Sequence, residues 1–478
     1  LKLSVSFKCL ALASPSLDPW SRDAMPPRKA PKEVWLVKDT DRDLGSSESK
    51  WRMGELAKNG HIYCPPWCAS RVLCIDASED GSSTLSEVTE SDAEKAEEDD
   101  AEKPVESAVS EIGPDLGFEP CKWRDAVLAR NGCIFCPPYN ASRVLRIDPA
   151  SGQVDLIGPD LGSQQGKFRK AILGKDGNIY CPPWNGNMVL RIDVAASSAE
   201  LIGADFGDVP EKWRSVVLGK GGRAYCVPFS ASQVLCIDTA AGTAELIGQD
   251  FGSVPGKFWT AVRTADDKIY SPPFTASKVL RIDTTSGEVD EFGPDLGPAR
   301  GKYWSAAIGT DGAVYSPPCC AAQVLRIDPL GGAVQPIGID YCYGGFKYRT
   351  PICGEDGCIY CLPWLATKVL KINVLRAKVE LIGSDLGFGG GKFLGAAMGA
   401  DGNVFAPPWS FDGVLRIETA NSRTENEQVS LIGAVNGECS GPLCSEAITG
   451  ADGLVYCLPL GTSQALRIEC WRPSAGPR

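Results

Sequence analysis

A unit of about 45 residues recurs along nearly the whole chain, and this repeat restricts the possible folds more than any other feature. Six of the eight steps between successive copies are 45 residues, and the other two are 72 and 51 residues. The slot that marks the first turn of each copy is occupied by Gly60, Gly132, Gly177, Gly222, Asp267, Gly312, Gly357, Gly402 and Gly453. A fixed period in this range indicates a repeat architecture, here with nine copies.

Each copy contains four short runs of β-branched and aromatic residues, separated by Gly, Pro, Asn and Asp. The copy over 122–162 is typical: its runs include Ala-Val-Leu, Cys-Ile-Phe-Cys, Arg-Val-Leu-Arg-Ile-Asp and Gln-Val-Asp-Leu-Ile. Such runs predict strands, and no segment has a helical period. We therefore expect an all-β fold, a single β-propeller of nine four-stranded blades, with eight blades and one detached copy as the alternative.

The two ends of the repeat region are complementary. The segment 33–38 matches the fourth strand of a copy, whereas the ninth copy stops near Cys470 after three strands. Pairing of the segment with the last blade would complete it and leave no free joining edge. We expect ring closure by this exchange, giving a propeller over 33–470 between a flexible tail at 1–32 and a short tail at 471–478.

An acidic insertion enlarges the first copy by 27 residues, the difference between steps of 72 and 45. Residues 79–111 carry 13 Asp or Glu and two Lys, a net charge of −11 out of −12 for the chain. We expect 79–110 to be disordered, because this composition cannot bury an apolar face. The remaining charge of about −1 argues against a nucleic-acid partner. No apolar run is long enough to predict a membrane-spanning helix.

An aromatic residue follows the Pro-Pro pair in most copies, on the end of the blades with the longer loops. The series is Trp67, Tyr139, Trp184, Phe229, Phe274, Trp364 and Trp409. An exposed ring of these side chains would stack on a peptide or a sugar. The alternative is that each ring packs on its own prolines and the neighbouring blade. This end of the blades is the predicted binding face, because longer loops on a rigid scaffold usually carry recognition.

A lysine begins most copies, and an aspartate stands seven residues before it. The pairs are Asp43–Lys50, Asp115–Lys122, Asp160–Lys167, Asp205–Lys212, Asp250–Lys257, Asp295–Lys302, Asp340–Lys347 and Asp385–Lys392. In the remaining crossover both charges are missing together, with Asn436 and Leu443 in the two slots. Joint loss favours structural salt bridges between blades over a cationic collar that binds an anion.

Little in the sequence supports catalysis or metal binding. The chain has one histidine, His61, in a slot that varies between copies, so a triad or a multi-histidine metal site cannot be built. Six of the 20 cysteines share one slot with Ser271, Ser316 and Ala406, which indicates a small buried packing position. We expect no cofactor and no metal, and a reducing compartment.

The run Asp176-Gly-Asn-Ile-Tyr180, followed by Val189-Leu-Arg-Ile-Asp193, resembles the blade repeat of streptogramin-lyase-like propellers. It is also similar to NHL repeats and to the SMP-30/gluconolactonase group. The resemblance implies a propeller over about 33–470. The lyases use a histidine and acidic residues with magnesium, and the lactonases hold a divalent metal with Glu, Asp and Asn. No matching set was found here, so no catalytic residue is transferred.

We therefore expect a non-catalytic, monomeric propeller that binds a protein or peptide partner through the longer-loop end. The alternatives are a metal-dependent lyase or lactonase and a carbohydrate-binding propeller. The expected location is the cytoplasm, with secretion as the alternative if the N-terminus is a remnant of a signal peptide.

Overall fold

Nine four-stranded antiparallel sheets make up the fold, as the repeat predicts. The computed structural model describes residues 35–36, 44–45, 49–78, 108–341, 344–419, 428–433 and 442–470. The predicted tail at 1–32, the C-terminal tail at 471–478 and most of the acidic insertion therefore lie outside the described residues. Within the described ranges there is no helix long and apolar enough to cross a membrane.

The strands follow one another regularly along the chain. Blades 1 to 3 contain β2 Glu55–Leu56, β3 His61–Cys64, β4 Val72–Asp76, β5 Val109–Ile112; β6 Val127–Leu128, β7 Ile134–Cys136, β8 Val144–Asp148, β9 Gln153–Ile157; β10 Ile172–Leu173, β11 Ile179–Cys181, β12 Val189–Asp193 and β13 Ser198–Ile202. Blades 4 to 6 contain β14 Trp213–Leu218, β15 Arg223–Pro228, β16 Val234–Asp238, β17 Thr243–Ile247; β18 Val262–Arg263, β19 Lys268–Ser271, β20 Val279–Asp283, β21 Val289–Phe292; β22 Ala307–Ile308, β23 Val314–Ser316, β24 Val324–Ile327 and β25 Val334–Ile337. Blades 7 and 8 contain β26 Tyr348–Cys353, β27 Ile359–Pro363, β28 Val369–Asn373, β29 Lys378–Ile382; β30 Ala397–Met398, β31 Val404–Ala406, β32 Val414–Ile417 and β33 Val429–Ile432.

The ninth blade joins the two ends of the chain. It contains β34 Cys444–Thr449, β35 Val455–Pro459 and β36 Leu466–Ile468, and its fourth strand is the N-terminal β1, Trp35–Leu36. β1 pairs antiparallel with β36, with Trp35 opposite Arg467 and Leu36 opposite Leu466. The predicted closure by the N-terminal segment is confirmed, and the eight-blade alternative is wrong, because the ninth copy forms a sheet of its own.

Apolar side chains pack between neighbouring blades. Among the described residues there are nine buried clusters, and each joins a different pair of adjacent blades. One cluster joins blade 9 to blade 1, with Tyr456 and Leu458 against Ile62 and Leu73. The core is therefore a continuous belt, and the repeat supplies the same interface nine times.

The cysteine slot in the second strand of each blade lies in this belt, as predicted. Cys64, Cys136, Cys181, Cys226, Cys361 and Cys457 are fully buried, and so are Ser271, Ser316 and Ala406 in the other copies. These six cysteines are free thiols. Burial raises the pKa of each, for example that of Cys181, because the thiolate would lose its hydration. They are small packing residues with no exposed reactive sulfur.

Tight turns at one end of the blades and longer loops at the other make the two faces unlike. The first hairpin of each blade turns in two residues, such as Asn131-Gly132, where Gly132 has a left-handed backbone with φ 87°. We call the opposite end the long-loop face. It carries the Pro-Pro-aromatic loops, 137–142 in blade 2, and the crossovers between blades, 158–167 after blade 2. The acidic insertion leaves β4 and returns at β5 on the tight-turn end, and β5 begins at Val109.

Candidate functional site

The lysine that begins eight of the nine copies is buried, and its direct partners are carbonyl groups. Lys122, Lys167, Lys212, Lys257 and Lys302 are 1–3% exposed, and each donates from Nζ to the carbonyl of the glycine five residues earlier. In the same turns the aspartate accepts from the backbone N–H of that glycine, as Asp115 does from Gly117 at 2.8 Å. For these five lysines no oxygen of the paired aspartate lies within 4.0 Å of Nζ among the described residues, but each aspartate still raises the pKa of its lysine from a longer distance, against the lowering by burial.

The lysines do connect blades, through carbonyl groups. Lys122 Nζ donates to Ala69 O of blade 1 at 2.7 Å, and Lys392 Nζ donates to Ala366 O of blade 7 at 3.1 Å. The aspartate and the lysine of each pair depend on the same loop, because the aspartate accepts from the backbone of a turn whose carbonyl group accepts from the lysine. This explains why the last crossover lacks both charged residues. Asp340 and Lys347 occupy the same slots, and Lys347 Nζ donates to Gly344 O. Asp43 lies outside the described residues.

An arginine follows the Lys-aromatic pair in five blades, and these arginines converge at the axis on the long-loop face. Alternation along the extended chain buries the aromatic residue between blades and turns the next side chain toward the axis. The slot holds Arg52, Arg124, Arg169, Arg214, Trp259, Trp304 and Arg349 in blades 1 to 7. We name this set the arginine mouth. Six of its members, all but Arg52, line a cavity of about 490 Å³.

Aromatic rings support every guanidinium group of the mouth. Arg52 lies 5.4 Å from the Trp67 ring centroid, Arg169 lies 4.9 Å from that of Trp184, and Arg349 lies 4.7 Å from that of Trp364. Arg124 lies between Trp67 and Tyr139, and Arg214 between Phe229 and Trp259. Each contact is a cation–π interaction, which holds the guanidinium without neutralising it.

Each of the seven predicted aromatic residues contacts an arginine of the mouth or an aromatic ring that packs on one. We call these seven residues the aromatic wall. Phe274 packs on Trp259 at 4.8 Å, and Trp409 packs on Trp364 at 5.7 Å between ring centroids. Trp67, Trp184 and Phe229 are buried, and the other four are half-buried. The rings lie behind the arginines and against neighbouring blades. This is closer to the packing alternative than to an exposed stacking platform.

No carboxylate of the described residues pairs directly with the arginines of the mouth, although Asp125, Glu211 and Glu446 act on them from a longer distance. Among the described residues, no Asp or Glu oxygen lies within 4.0 Å of the guanidinium nitrogens of these five arginines. Burial lowers the pKa of Arg124, and the positive charges of Arg169 and Arg52 lower it further. Burial likewise lowers the pKa of Arg214, with Arg169 and Arg124 as the next causes. An anion in the cavity would relieve this repulsion.

The residues that directly follow the arginines of the mouth form a second layer of polar side chains, which includes Asp125, Lys170 and Thr350. Asp125 is 4% exposed and accepts from Lys170 Nζ at 2.7 Å and from the backbone N–H of Ala171 at 2.8 Å. Thr350 donates from Oγ1 to Leu394 O of the next blade. These contacts join inner strands of adjacent blades, and Lys170 and Thr350 also line the cavity.

Two glutamates, Glu446 of blade 9 and Glu55 of blade 1, flank this layer. Burial raises the pKa of Glu55 to about 7, with the negative charges of Asp125 and Glu446 as further causes. Burial also raises the pKa of Glu446 to about 7. No group of three or more His, Cys, Asp or Glu in the described ranges is arranged to hold a metal ion.

These raised pKa values predict a pH-dependent stability. The folded state binds more protons than the unfolded state between about pH 4.5 and 7, so the free energy of unfolding decreases as the pH rises through this window. Glu446→Gln should be about as stable as the parent at pH 4.5 and more stable by about 1–3 kcal/mol at pH 8. Urea unfolding at the two pH values measures this. The exposed Glu245→Gln is the control, and an equal effect of both substitutions would contradict the assignment.

The single histidine lies away from the mouth. His61 begins β3 next to the tight turn, opposite Asp76, with Nε2 at 3.7 Å from the Asp76 carboxylate. Arg52 lies at the other end of the same hairpin, next to the bridge between Trp51 and Pro66. The histidine therefore does not contribute to the arginine mouth.

The repeat revealed the lysines and the aromatic residues as series with fixed spacing. The arginines, which stand two residues after the lysines, were not predicted from the sequence. Their signal is present in the sequence, since Arg occupies one slot in five of nine copies. The slot had no prediction because four copies depart from arginine: Trp259, Trp304, Leu394 and Ser445.

Comparison with known proteins supports the fold and no more. No family model and no curated protein matches the chain. Solved structures that resemble it include the computationally designed Ika8 protein, at 10% identity and a TM-score of 0.50 over 73% of this chain and 96% of that one. Virginiamycin B lyase from Staphylococcus aureus resembles it at 13% identity and a TM-score of 0.44, over 60% and 92%.

A putative 6-phosphogluconolactonase from Bacteroides uniformis also resembles the chain, at 13% identity and a TM-score of 0.39 over 70% and 95%. Streptogramin-type lyases, the group whose blade repeat the sequence resembles, are thus among the similar structures. At these identities the likeness concerns architecture alone. Fold and site together define a nine-bladed β-propeller with a cationic mouth.

Proposed function

We propose that this protein is a non-catalytic binding propeller whose long-loop face takes an acidic segment of a protein partner into the arginine mouth. The observation that carries the proposal is the set of four guanidinium groups, those of Arg124, Arg169, Arg214 and Arg349, that line one cavity with no carboxylate oxygen within 4.0 Å among the described residues. Guanidinium groups donate paired N–H bonds that match carboxylate oxygens, so aspartate and glutamate side chains are suitable ligands.

The size of the cavity favours a segment of chain over a folded surface. A volume of about 490 Å³ holds a few side chains. The aromatic wall keeps the guanidinium groups in place before the ligand arrives, which reduces the ordering cost of binding. Fixed cations in an open cavity also attract an anionic chain from a distance.

Exposed apolar side chains lie in crossovers of the same face as the mouth and favour a protein partner over a small anion. Phe118, Val254 and Phe388 lie in three crossovers of the long-loop face and are 74%, 53% and 97% exposed. Apolar groups beside a charged centre are typical of a surface that a partner covers. A polypeptide would fill the mouth with acidic side chains and contact these crossovers with its flanks.

The test is binding of labelled peptides to the full-length protein, followed by fluorescence anisotropy. We expect a peptide of alternating Glu and Gly to bind at micromolar Kd, and the affinity to fall as salt rises from about 50 to about 300 mM. The matched peptide of Gln and Gly should bind at least about tenfold more weakly.

Four outcomes would overturn the proposal. The first is equal binding of the Glu and Gln peptides, and the second is no binding of the acidic peptide at the lowest salt concentration. The third is metal-dependent turnover of a lactone or a cyclic depsipeptide, which would favour the enzyme alternative. The fourth is binding of neutral glycans at the mouth in place of the acidic peptide, which would favour the carbohydrate alternative.

A further inference from the structure

Two partly exposed cysteines meet across the joint between blades 1 and 2, at the edge of the arginine mouth. Cys68 follows Trp67 in the Pro-Pro-aromatic loop of blade 1, and Cys121 precedes Lys122 at the start of blade 2. The backbone N–H of Lys122 donates to Trp67 O at 2.9 Å, which places Cys121 beside Cys68, and each thiol shifts the pKa of the other. Both residues are half-buried, unlike the cysteines of the core belt.

The repeat shows independently that these two slots touch in the next two joints. In the next joint the Cys68 slot is Asn140 and the Cys121 slot is Gly166, and Asn140 Oδ1 accepts from Gly166 N at 2.9 Å. In the following joint Asn185 Oδ1 accepts from Glu211 N, also at 2.9 Å. Cys68 thus takes the place of an asparagine that connects adjacent blades, with its sulfur where the amide oxygen stands.

The slot of Cys121 has a left-handed backbone in which glycine is favoured. Cys121 has φ 63°, and four of the eight corresponding residues are Gly166, Gly256, Gly301 and Gly391. A glycine there could make the backbone contact but no covalent bond. In this joint alone, among the described repeats, both slots carry a thiol.

We propose that Cys68 and Cys121 form a reversible disulfide between blades 1 and 2, a redox modification site on the long-loop face. The oxidant is a small disulfide such as glutathione disulfide. The Cys68 thiolate attacks one sulfur of this reagent, forms a mixed disulfide and releases one glutathione thiolate. The Cys121 sulfur then attacks Cys68, its proton passes to the released thiolate, and the second glutathione leaves. Two protein thiols are oxidised, and one glutathione disulfide is reduced to two thiols.

The roles of the two sulfurs follow from their surroundings. The neighbouring thiol of Cys121 lowers the pKa of Cys68 to about 6, so Cys68 is the nucleophile at neutral pH. The pKa of Cys121 is raised, first by the neighbouring thiol of Cys68 and then by burial, which suits the second, resolving thiol. Lys122 beside Cys68 also favours the thiolate.

The chain contains a matched control at another joint. Cys320 occupies the slot of Cys68 in blade 6, but the residue in the Cys121 slot of the next blade is Phe346. The thiol of its sequence neighbour Cys319 lowers the pKa of Cys320 to about 6. Cys320 therefore has a thiol of lowered pKa and no cysteine across the joint.

The experiment is incubation of the full-length protein with millimolar glutathione disulfide at slightly alkaline pH, followed by mass spectrometry without reduction. We expect loss of two hydrogens from the intact mass, and a proteolytic fragment that joins the peptides of Cys68 and Cys121. Cys121→Ser should instead accumulate glutathione on Cys68, because the resolving thiol is absent. Cys320→Ser should leave the cross-linked fragment unchanged.

Two results would overturn the inference. One is stable glutathione on Cys68 in the parent protein, which would show that Cys121 does not reach it. The other is no change at Cys68 while Cys320 reacts. Thermal unfolding of the Cys121→Ser protein confirms that the variant is folded. None of these readouts depends on peptide binding, so this inference and the proposed function can fail separately.

Discussion

Replacement of Arg124 and Arg169 by glutamine should weaken binding of the acidic peptide by about 100-fold and raise the melting temperature at the same time. A hydrogen bond to a charged group contributes about 1.5–3 kcal/mol, so two lost guanidinium contacts account for this decrease. The stability should increase because the two arginines repel each other and are partly buried. Opposite changes in binding and stability are expected when a site retains unfavourable charge for function.

The measurement uses peptide anisotropy at several salt concentrations together with thermal unfolding. The variant should also show a smaller dependence of affinity on salt, because fewer charges remain at the mouth. Arg191→Gln is the matched control, since Arg191 lies in blade 3, as Arg169 does, and pairs with Glu200 at 2.8 Å on the surface. It removes the same charge from another place, and we expect less than a twofold change in affinity.

Arg169→Lys separates charge from geometry. Lysine keeps the positive charge but has no planar pair of donors and stacks less well on Trp184. We expect an affinity between those of the parent and the glutamine variant. Loss of stability in the glutamine variants with unchanged binding would show that the arginines are structural, and the proposed function would then be wrong.

The regular parts of the fold were predictable because local pattern and tertiary structure agree in them. Each strand carries its own β-branched run, each hairpin its own turn residues, and the 45-residue period gave the number of blades. The N-terminal strand was also found by its match to a repeat strand. Its described length is two residues against a predicted segment of 33–38.

The site was harder to predict because both faces of each blade are buried by neighbouring blades. In an ordinary sheet, alternation of apolar and polar residues shows which side chains face solvent. In a sheet that is buried on both faces, this pattern does not show where a side chain points. Trp123 is buried between blades, and its neighbour Arg124 faces the axis. The charges of Asp115 and Lys122 suggested an ion pair, but the backbone between them takes both partners. The spacing of residues in the sequence does not show that backbone carbonyl groups, such as those of Ala69 and Gly117, surround the lysine after folding.

Deletion of residues 25–45 should destabilise the whole ring, because it removes the strand that completes blade 9. β36 would lose its pairing with β1, and Leu44 would no longer pack on the cluster between blades 9 and 1. The backbone of Leu44 also donates to Ser463 O, and this bond would be lost. We expect the melting temperature to fall by about 10 °C, which corresponds to a loss of several kcal/mol for a protein with one cooperative transition.

The deletion should act through one exposed edge. An unpaired edge such as that of β36 is a template for another strand, so the trimmed protein should also associate with itself. A synthetic peptide spanning residues 30–45, added in excess, should restore the melting temperature by pairing with this edge. Deletion of residues 1–24 is the control and should leave the melting temperature unchanged. If the deletion of 25–45 melts as the parent does, β1 is not the strand that closes the ring.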